Sequence, residues 1–306
     1  TVTTVRADST CIDAGAASAA AERLVTADQV DGIMGADCSG VTGAILNNVA
    51  VANGVVMVSP SATSPGLSHN ANEDNGLFFR TSPSDARQGV VITELLMDQG
   101  IKEVAVTYTN NDKGNGLDYS AEVGALASAG GERRVVAGYV DQGGSGIVRA
   151  ALDSGAFDTF HFPDGMVSAA LLENFGTEIN GSSGAHPSPS EELSSALADH
   201  VGGAFDSSSP FTPESYDAAA LIMLAMQAAG SKDSNEYKEH VMDVANAPGE
   251  QIGVGELAKA LQILKDGGDI DYVGATGVEL VGPGEAAGNY REINYDGGVD
   301  NTVGFR

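Results

Sequence analysis

An α/β fold in two lobes, each with a parallel sheet, is predicted by three observations. Short apolar runs alternate with longer helical runs over much of the chain, in the β-α-β-α order that parallel sheets require. The 306 residues exceed one ordinary core and suit two. The composition is 42% hydrophobic but only 6% aromatic, without Trp, so small aliphatic residues must fill those cores.

The elements follow in order. Residues 2–7 read as a strand, 13–26 as an Ala-rich helix, 30–34 as a strand, 41–52 as a helix and 55–58 as a strand. A short strand over 77–80 precedes a helix over 84–99, with Pro83 near its start and Gly100 just past its end. Strands over 104–108, 134–139 and 159–162 alternate with helices over 116–129, 146–153 and 166–175. After Gly176 the pattern changes. "INGSSGAHPSPS", residues 179–190, reads as a loop or linker. Helices then dominate, over 191–200, 213–229, 236–245 and 256–265, and residues 272–306 read as short strands and turns. No repeat of solenoid period is present.

Charge narrows the function classes. Lys and Arg number 15 against 42 Asp and Glu, a net charge of −27, whereas nucleic-acid binding needs a basic surface. The acidity reads as a solubility device suited to a salty environment, where screening relieves self-repulsion. No apolar run approaches the ~20 residues that cross a membrane. No signal-peptide pattern is seen. Cys11 and Cys38 leave three readings open: a disulfide, free thiols or half a metal site. No Cys or His nearby completes a zinc spacing, and the five His are scattered.

The turn "GADCSGVTG", residues 35–43, lies between an apolar strand and a helix. As a nucleophile elbow it has Gly40 two residues after Cys38, but Ala36 replaces the first Gly and no triad partner is readable. As a dinucleotide turn its spacing is wrong, and no Walker lysine follows. An anion site remains: a helix start presents unpaired N–H groups and a positive dipole end, with Ser39 as N-cap. A Ser39 that only caps its helix explains the serine equally well. The next corner, "VVMVSPSATSPGLS", residues 55–68, is also hydroxyl-rich and follows the adjacent strand. Ligands of open parallel sheets bind at the carboxyl ends of strands, so both corners point to one crevice. Neither supplies a strong acid or base, which suits binding more than bond breaking.

Several segments carry a family resemblance: "CIDAGAASAAAERLV", "GIMGADCSG", "GVVMVSPSATSPGLS", "LFFRTSPSDARQG", "PFTPESYDAAALIMLAMQAAG" and "GELAKALQILKDGGDIDYVGATG". In order and spacing they resemble the type I periplasmic binding proteins, in the subgroup serving branched-chain amino acid (Leu/Ile/Val) ABC transporters. The resemblance runs from Thr1 nearly to the end. It implies two Rossmann-like lobes with parallel sheets, joined by three crossover hinge strands and closing on a ligand. Lobe one is expected over 1–82 plus about 190–275, and lobe two over about 83–189 plus 276–306. The resemblance also implies a Cys11–Cys38 disulfide.

Carried over by position, Ser39 binds a ligand carboxylate through its N–H and hydroxyl, with Cys38 as wall. Ser61 offers its carbonyl to the ligand ammonium, with Ala62 beside it and Thr63 hydrogen-bonding at the same pole. From lobe two, "NNDKGNG" places Lys113 where the family has an aromatic, and "FPDGMVSA" places Asp164, Gly165 and Met166 at the ligand. Lys113 is a solvated loop lysine, a partner for a second ligand carboxylate, or one half of an ion pair with Asp164. Asp164 is a helix N-cap or an ammonium partner. Two family features are not placed in this sequence: a first βα unit, which the family has ahead of the stretch matching Thr1 onward, and a lobe-two strand after Gly176 carrying an acidic ligand residue. Tyr216 reads as core, and "DGGVDN", residues 296–301, as a plain turn rather than a calcium loop.

The resulting expectation is an extracytoplasmic, exported solute-binding component of an ABC importer. It is not an enzyme and uses no cofactor or metal. Its partners are an amino acid or related small solute and a membrane permease, with no nucleic acid, and it acts as a monomer. A ligand-sensing receptor or amide-responsive regulator of the same fold is the related alternative. An α/β hydrolase or nucleotide-dependent enzyme is the distinct one, and it lacks both the elbow and the phosphate loop.

Overall fold

The computed structural model describes residues 2–69, 74–108, 119–131, 133–282 and 284–306. The strands of the first half are β1 (Ile33–Met34), β2 (Met57–Ser59), β3 (Phe78–Arg80), β4 (Val104–Tyr108), β5 (Arg133–Ala137) and β6 (Phe160–Phe162). Those of the second half are β7 (Ser183–Pro187), β8 (Glu250–Gly253), β9 (Ile270–Gly274), β10 (Leu280–Val281), β11 (Glu285–Ala286), β12 (Tyr290–Asp296) and β13 (Val299–Phe305). The chain forms two compact units: Thr1–Ala86 with Ser188–Asn289, and Arg87–Pro187 with Tyr290–Arg306. Residues 276–289, expected in lobe two, belong to the first unit, because β11 pairs with β3 and β10 pairs with β11.

In the first unit one sheet runs β1-β2-β3-β11-β10, parallel except for its last pair, and β8 and β9 form a small parallel sheet of their own. Both β2 and β3 are buried along their whole length, as strands covered on two faces must be. The helix Thr212–Ala229 is the centre of this core. Its Ala218, Leu221, Leu224 and Ala225 are fully buried with Val56, Val58, Leu77 and Phe79. The alanines let its backbone lie close to the strands, so low aromatic content here reflects tight packing rather than a weak core. The helix Ala14–Thr26 begins where Asp13 accepts the Ala16 N–H at 2.8 Å. The strand expected over 2–7 is absent: these residues are exposed and pair with no strand among the described residues. They are held instead by the Cys11–Cys38 disulfide and by Arg23, which donates to the Arg6 carbonyl at 3.0 Å.

In the second unit the sheet runs β13-β12-β7-β6-β5-β4, parallel from β4 to β7 and antiparallel beyond. Phe160, Phe162, Leu171, Phe175, Ile293 and Tyr295 build its core, and Phe162 meets Tyr295 edge-on at 5.5 Å. The strand not found after Gly176 is β7. It lies inside the stretch expected to be a loop, and all five of its residues are buried. A Cβ on Gly184 would meet the Phe162 carbonyl at 2.9 Å and Ile293 at 3.1 Å, so only glycine fits between β6 and β12. Small residues thus mark a crowded strand here, not a turn. His161 on β6 and His186 within β7 are both buried, and burial pushes both down to about 4, so both are neutral at pH 7. Gly297 and Gly298 make the β12–β13 hairpin turn, so "DGGVDN" is a turn.

Candidate functional site

Strands β1 and β2 are parallel neighbours, so their carboxyl ends lie side by side. The chain after β1 turns through 35–38 into a helical stretch, Ser39–Ile45, that continues as a π-helical turn, Leu46–Ala50, and ends at Asn53. The chain after β2 turns through 60–64. Serines lace the two corners together. Ser59 Oγ donates to the Ala36 carbonyl at 2.6 Å, and Ser61 Oγ donates to the Asp37 carbonyl at 2.9 Å. Ser64 N–H in turn donates to Ser39 Oγ at 3.1 Å. Ser59 Oγ also accepts from the Ala62 N–H at 3.0 Å, which folds the second corner back on itself.

Ser39 is the first helical residue rather than the N-cap. The cap position belongs to Cys38, and no side chain caps the helix there. A helix start without a side-chain cap leaves its first-turn N–H groups for another acceptor. Asp37 is close by but spends one oxygen on the Cys38 N–H (3.0 Å) and the Ser9 hydroxyl (2.8 Å). The Cys11–Cys38 disulfide, with Cα atoms 5.1 Å apart, anchors this corner to the start of the first helix. Closing a loop of 27 residues contributes about 3–4 kcal/mol in the chain-entropy account. Both cysteines are consumed, so neither a thiol nucleophile nor a metal ligand is available from them.

Beneath the second corner lies Arg80, fully buried at the end of β3. Its guanidinium donates to the Ala62 and Ser64 carbonyls, both at 2.9 Å, and pairs with Glu285 at 2.6 Å. Ser68 joins the same cluster. Thr63 is held from the other side: its carbonyl accepts the Asp85 N–H at 2.9 Å and its side chain hydrogen-bonds the Asp85 carboxylate. The expected residues Cys38, Ser39, Ser61, Ala62 and Thr63 therefore come together in the first unit. Ala62 and Cys38 are buried, while Ser39, Ser61 and Thr63 are half-buried.

In the second unit, Asp164–Met166 form a 3₁₀ turn at the carboxyl end of β6. Asp164 opens that turn, and the N-cap position is Pro163. Gln88 faces it. In the amide orientation that satisfies both partners, Gln88 donates to Asp164 Oδ1 at 3.2 Å and accepts from the Asp164 N–H at 3.3 Å. Gly165 is half-buried, and a Cβ there would strike the Gly138 carbonyl at 2.4 Å. Met166, expected at the ligand, is instead fully buried in the core of this unit. Lys113 lies outside the described residues. Tyr216 is half-buried and its hydroxyl accepts the Gly255 N–H at 3.1 Å, a packing role.

Three charged residues escaped the sequence reading: Arg80, Glu214 and Asp217 as buried groups. Asp217 accepts four hydrogen bonds, from the Tyr272 hydroxyl, the Ala275 and Thr276 N–H groups and the Thr276 hydroxyl, and burial still raises its carboxyl to about 6. Burial pushes Glu214 up to about 8. The available signal was a charge inside an apolar run: Arg80 in the strand "LFFRTS", and Glu214 and Asp217 in "PESYDAAALI", on the helix face that carries Ala218 and Leu221.

The chain matches the family model described as the receptor family ligand binding region over residues 2–132. It is 29% identical over 291 residues to the chemotactic signal transduction system substrate-binding protein BasB of Halobacterium salinarum, covering 85% of this chain and 69% of that protein. It is 25% identical over 249 residues to Leu/Ile/Val-binding protein homolog 3 of Brucella melitensis, covering 70% of this chain and 65% of that one. Among solved structures, the leucine binding protein LivK of Thermotoga maritima superposes with a TM-score of 0.75 at 19% identity, over 96% of this chain and 84% of its own. These are solute-binding and receptor proteins, not enzymes, and among the described residues no helix is long and apolar enough to cross a membrane. Strand order, the serine-laced corners and these matches agree: the chain has the fold of the type I periplasmic binding proteins and is similar to members of their branched-chain amino acid family.

Proposed function

We propose that this protein is the extracytoplasmic solute-binding component of an ABC importer and captures an amino acid or similar small polar solute. The observation that carries the reading is the helix start at Ser39, without a side-chain cap and tied by three serine-centred hydrogen bonds to the hydroxyl corner after β2. The hydroxyl proton of Ser39 and the first-turn N–H groups suit a ligand carboxylate; the Ser61 carbonyl and Thr63 suit its ammonium pole. Because Arg80 and the disulfide fix both corners before binding, little ordering entropy opposes capture. Asp164 and Gly165 are the second-unit residues proposed to complete the site, with Lys113 as a further contact. The similarity to BasB favours a second destination for the same capture step, presentation to a chemotactic transducer.

A thermal-shift panel of amino acids, small amides and carboxylates tests the reading. A true ligand at 100 times its Kd adds about 2.7 kcal/mol of stability. Ser39→Ala is expected to weaken that ligand by about 10- to 100-fold, the worth of one hydrogen bond to a charged group. A panel that stays flat after bound solute has been stripped by unfolding and refolding removes the amino-acid reading. Uptake and tactic responses of a deletion strain separate the importer from the chemotactic role.

A further inference from the structure

A hydroxyl has one proton to give, and where that proton goes decides what its lone pairs can still bind. In the corner after β2, Ser61 Oγ gives its proton to the Asp37 carbonyl at 2.9 Å. Thr63 Oγ hydrogen-bonds the Asp85 carboxylate, and the Asp85 N–H donates back to the Thr63 carbonyl at 2.9 Å. Two bonds thus hold Thr63 against the first residue of the helix Asp85–Asp98. Burial of its surroundings raises the Asp85 carboxyl, while the Thr63 hydroxyl and the charge of Arg80 pull it back down. The residue itself reaches solvent, so near pH 7 its carboxylate is ionised and has no proton of its own. The proton in the Thr63–Asp85 bond is therefore the threonine's. Ser61 and Thr63 are left with lone pairs alone for a further partner.

The first corner is the reverse. Ser39 Oγ accepts the Ser64 N–H at 3.1 Å and keeps its proton to give. The two hydroxyl corners therefore differ in polarity before any solute arrives. We propose that Asp85 is a specificity-determining positioning residue of this site: by taking the Thr63 proton it fixes Thr63 as an acceptor, so that the corner selects solutes bearing a protonated amine over the matching 2-oxo acids. The inference rests on the solute-binding reading above and names the substrate class within it. Where an amino acid brings N–H donors, its 2-oxo acid brings a carbonyl oxygen, which sets lone pairs against lone pairs and leaves both sides unpaired. Asparagine at position 85 reverses the polarity. Its amide N–H can donate to Thr63 Oγ, which frees the threonine proton for the solute. The backbone donors of the corner are the same in either case, so they cancel when variants are compared.

Isothermal titration of the full chain tests this with matched pairs: L-leucine and 4-methyl-2-oxopentanoate, L-alanine and pyruvate, L-glutamate and 2-oxoglutarate. Wild type is expected to prefer the amino acid of the pair it binds by about 100-fold or more. Asp85→Asn is expected to cut that ratio by about 10-fold or more. In a Thr63→Val background, where no hydroxyl remains to be oriented, Asp85→Asn is expected to leave the ratio unchanged. A ratio that still falls in that background belongs to the carboxylate's charge and overturns the proposal. An Asp85→Asn protein that binds both members of a pair more weakly in proportion also overturns it, since an acid that only stabilises its helix start predicts that result. Should Asp85→Asn not fold, Thr63→Val alone decides: a lowered ratio supports the proposal and a retained one overturns it. Binding of none of the probes removes the amino-acid reading and this inference with it, whereas equal binding of both members of a pair overturns this inference alone.

Discussion

Arg80 does what no exposed residue near the site does: it fixes the second corner from below, through two backbone carbonyls and one carboxylate. A buried guanidinium is costly unless its donors are used. Arg80→Met keeps much of the volume but leaves the Ala62 and Ser64 carbonyls and Glu285 without their partner. The expected loss is about 3 kcal/mol of stability, read as a lower urea midpoint, together with weaker solute binding. A variant that binds solute normally would show that the corner holds its shape without the guanidinium. The convergence of the serine corners was legible in sequence because both follow adjacent parallel strands, although capping and turn roles explained the individual serines equally well. Arg80 and Glu214 were not, since periodicity assigns charge to the exposed face and only tertiary contacts bring it inside.

At the scale of elements, helices were legible nearly throughout, because Ala- and Leu-rich periodic runs with Gly just past their ends leave little alternative. The exceptions are strands. Residues 2–7 carry β-branched residues but find no partner strand, and β7 carries none but is central. Strand propensity measures fit to neighbours, and the neighbours of β7 leave no space. This yields a prediction opposite in sign to propensity. Gly184→Val should destabilise by about 1–3 kcal/mol, because its Cβ would press on the Phe162 carbonyl and Ile293. Chemical denaturation of the variant measures this, and a gain in stability would mean that β6 and β12 separate easily to admit the side chain. The disulfide was legible only through resemblance, since spacing alone left thiols and metal open.

For the whole molecule, the net charge of −27 bears on solubility and on self-repulsion, not on the fold. Several of the few cations are already engaged at fixed positions: Arg306 with Glu94, Asp98 and Glu292, Arg149 with Glu178, and Lys259 with Glu250 and Glu256. These pairs leave most carboxylates without a cation. The repulsion among them acts over a screening length of about 30 Å at 0.01 M salt, 10 Å at 0.1 M and 3 Å at 1 M. The melting temperature in choline chloride should therefore climb steeply between 0.01 and about 0.3 M and flatten above, once the screening length falls below typical spacings between surface charges. The unfolded chain carries the same charge more widely spread, so it gains less from screening, and that difference sets the sign. A flat curve from 0.01 M upward would mean that the ion pairs already neutralise the field locally. A climb that continues past 1 M would assign the salt response to ion exclusion from the protein surface instead of Coulomb screening.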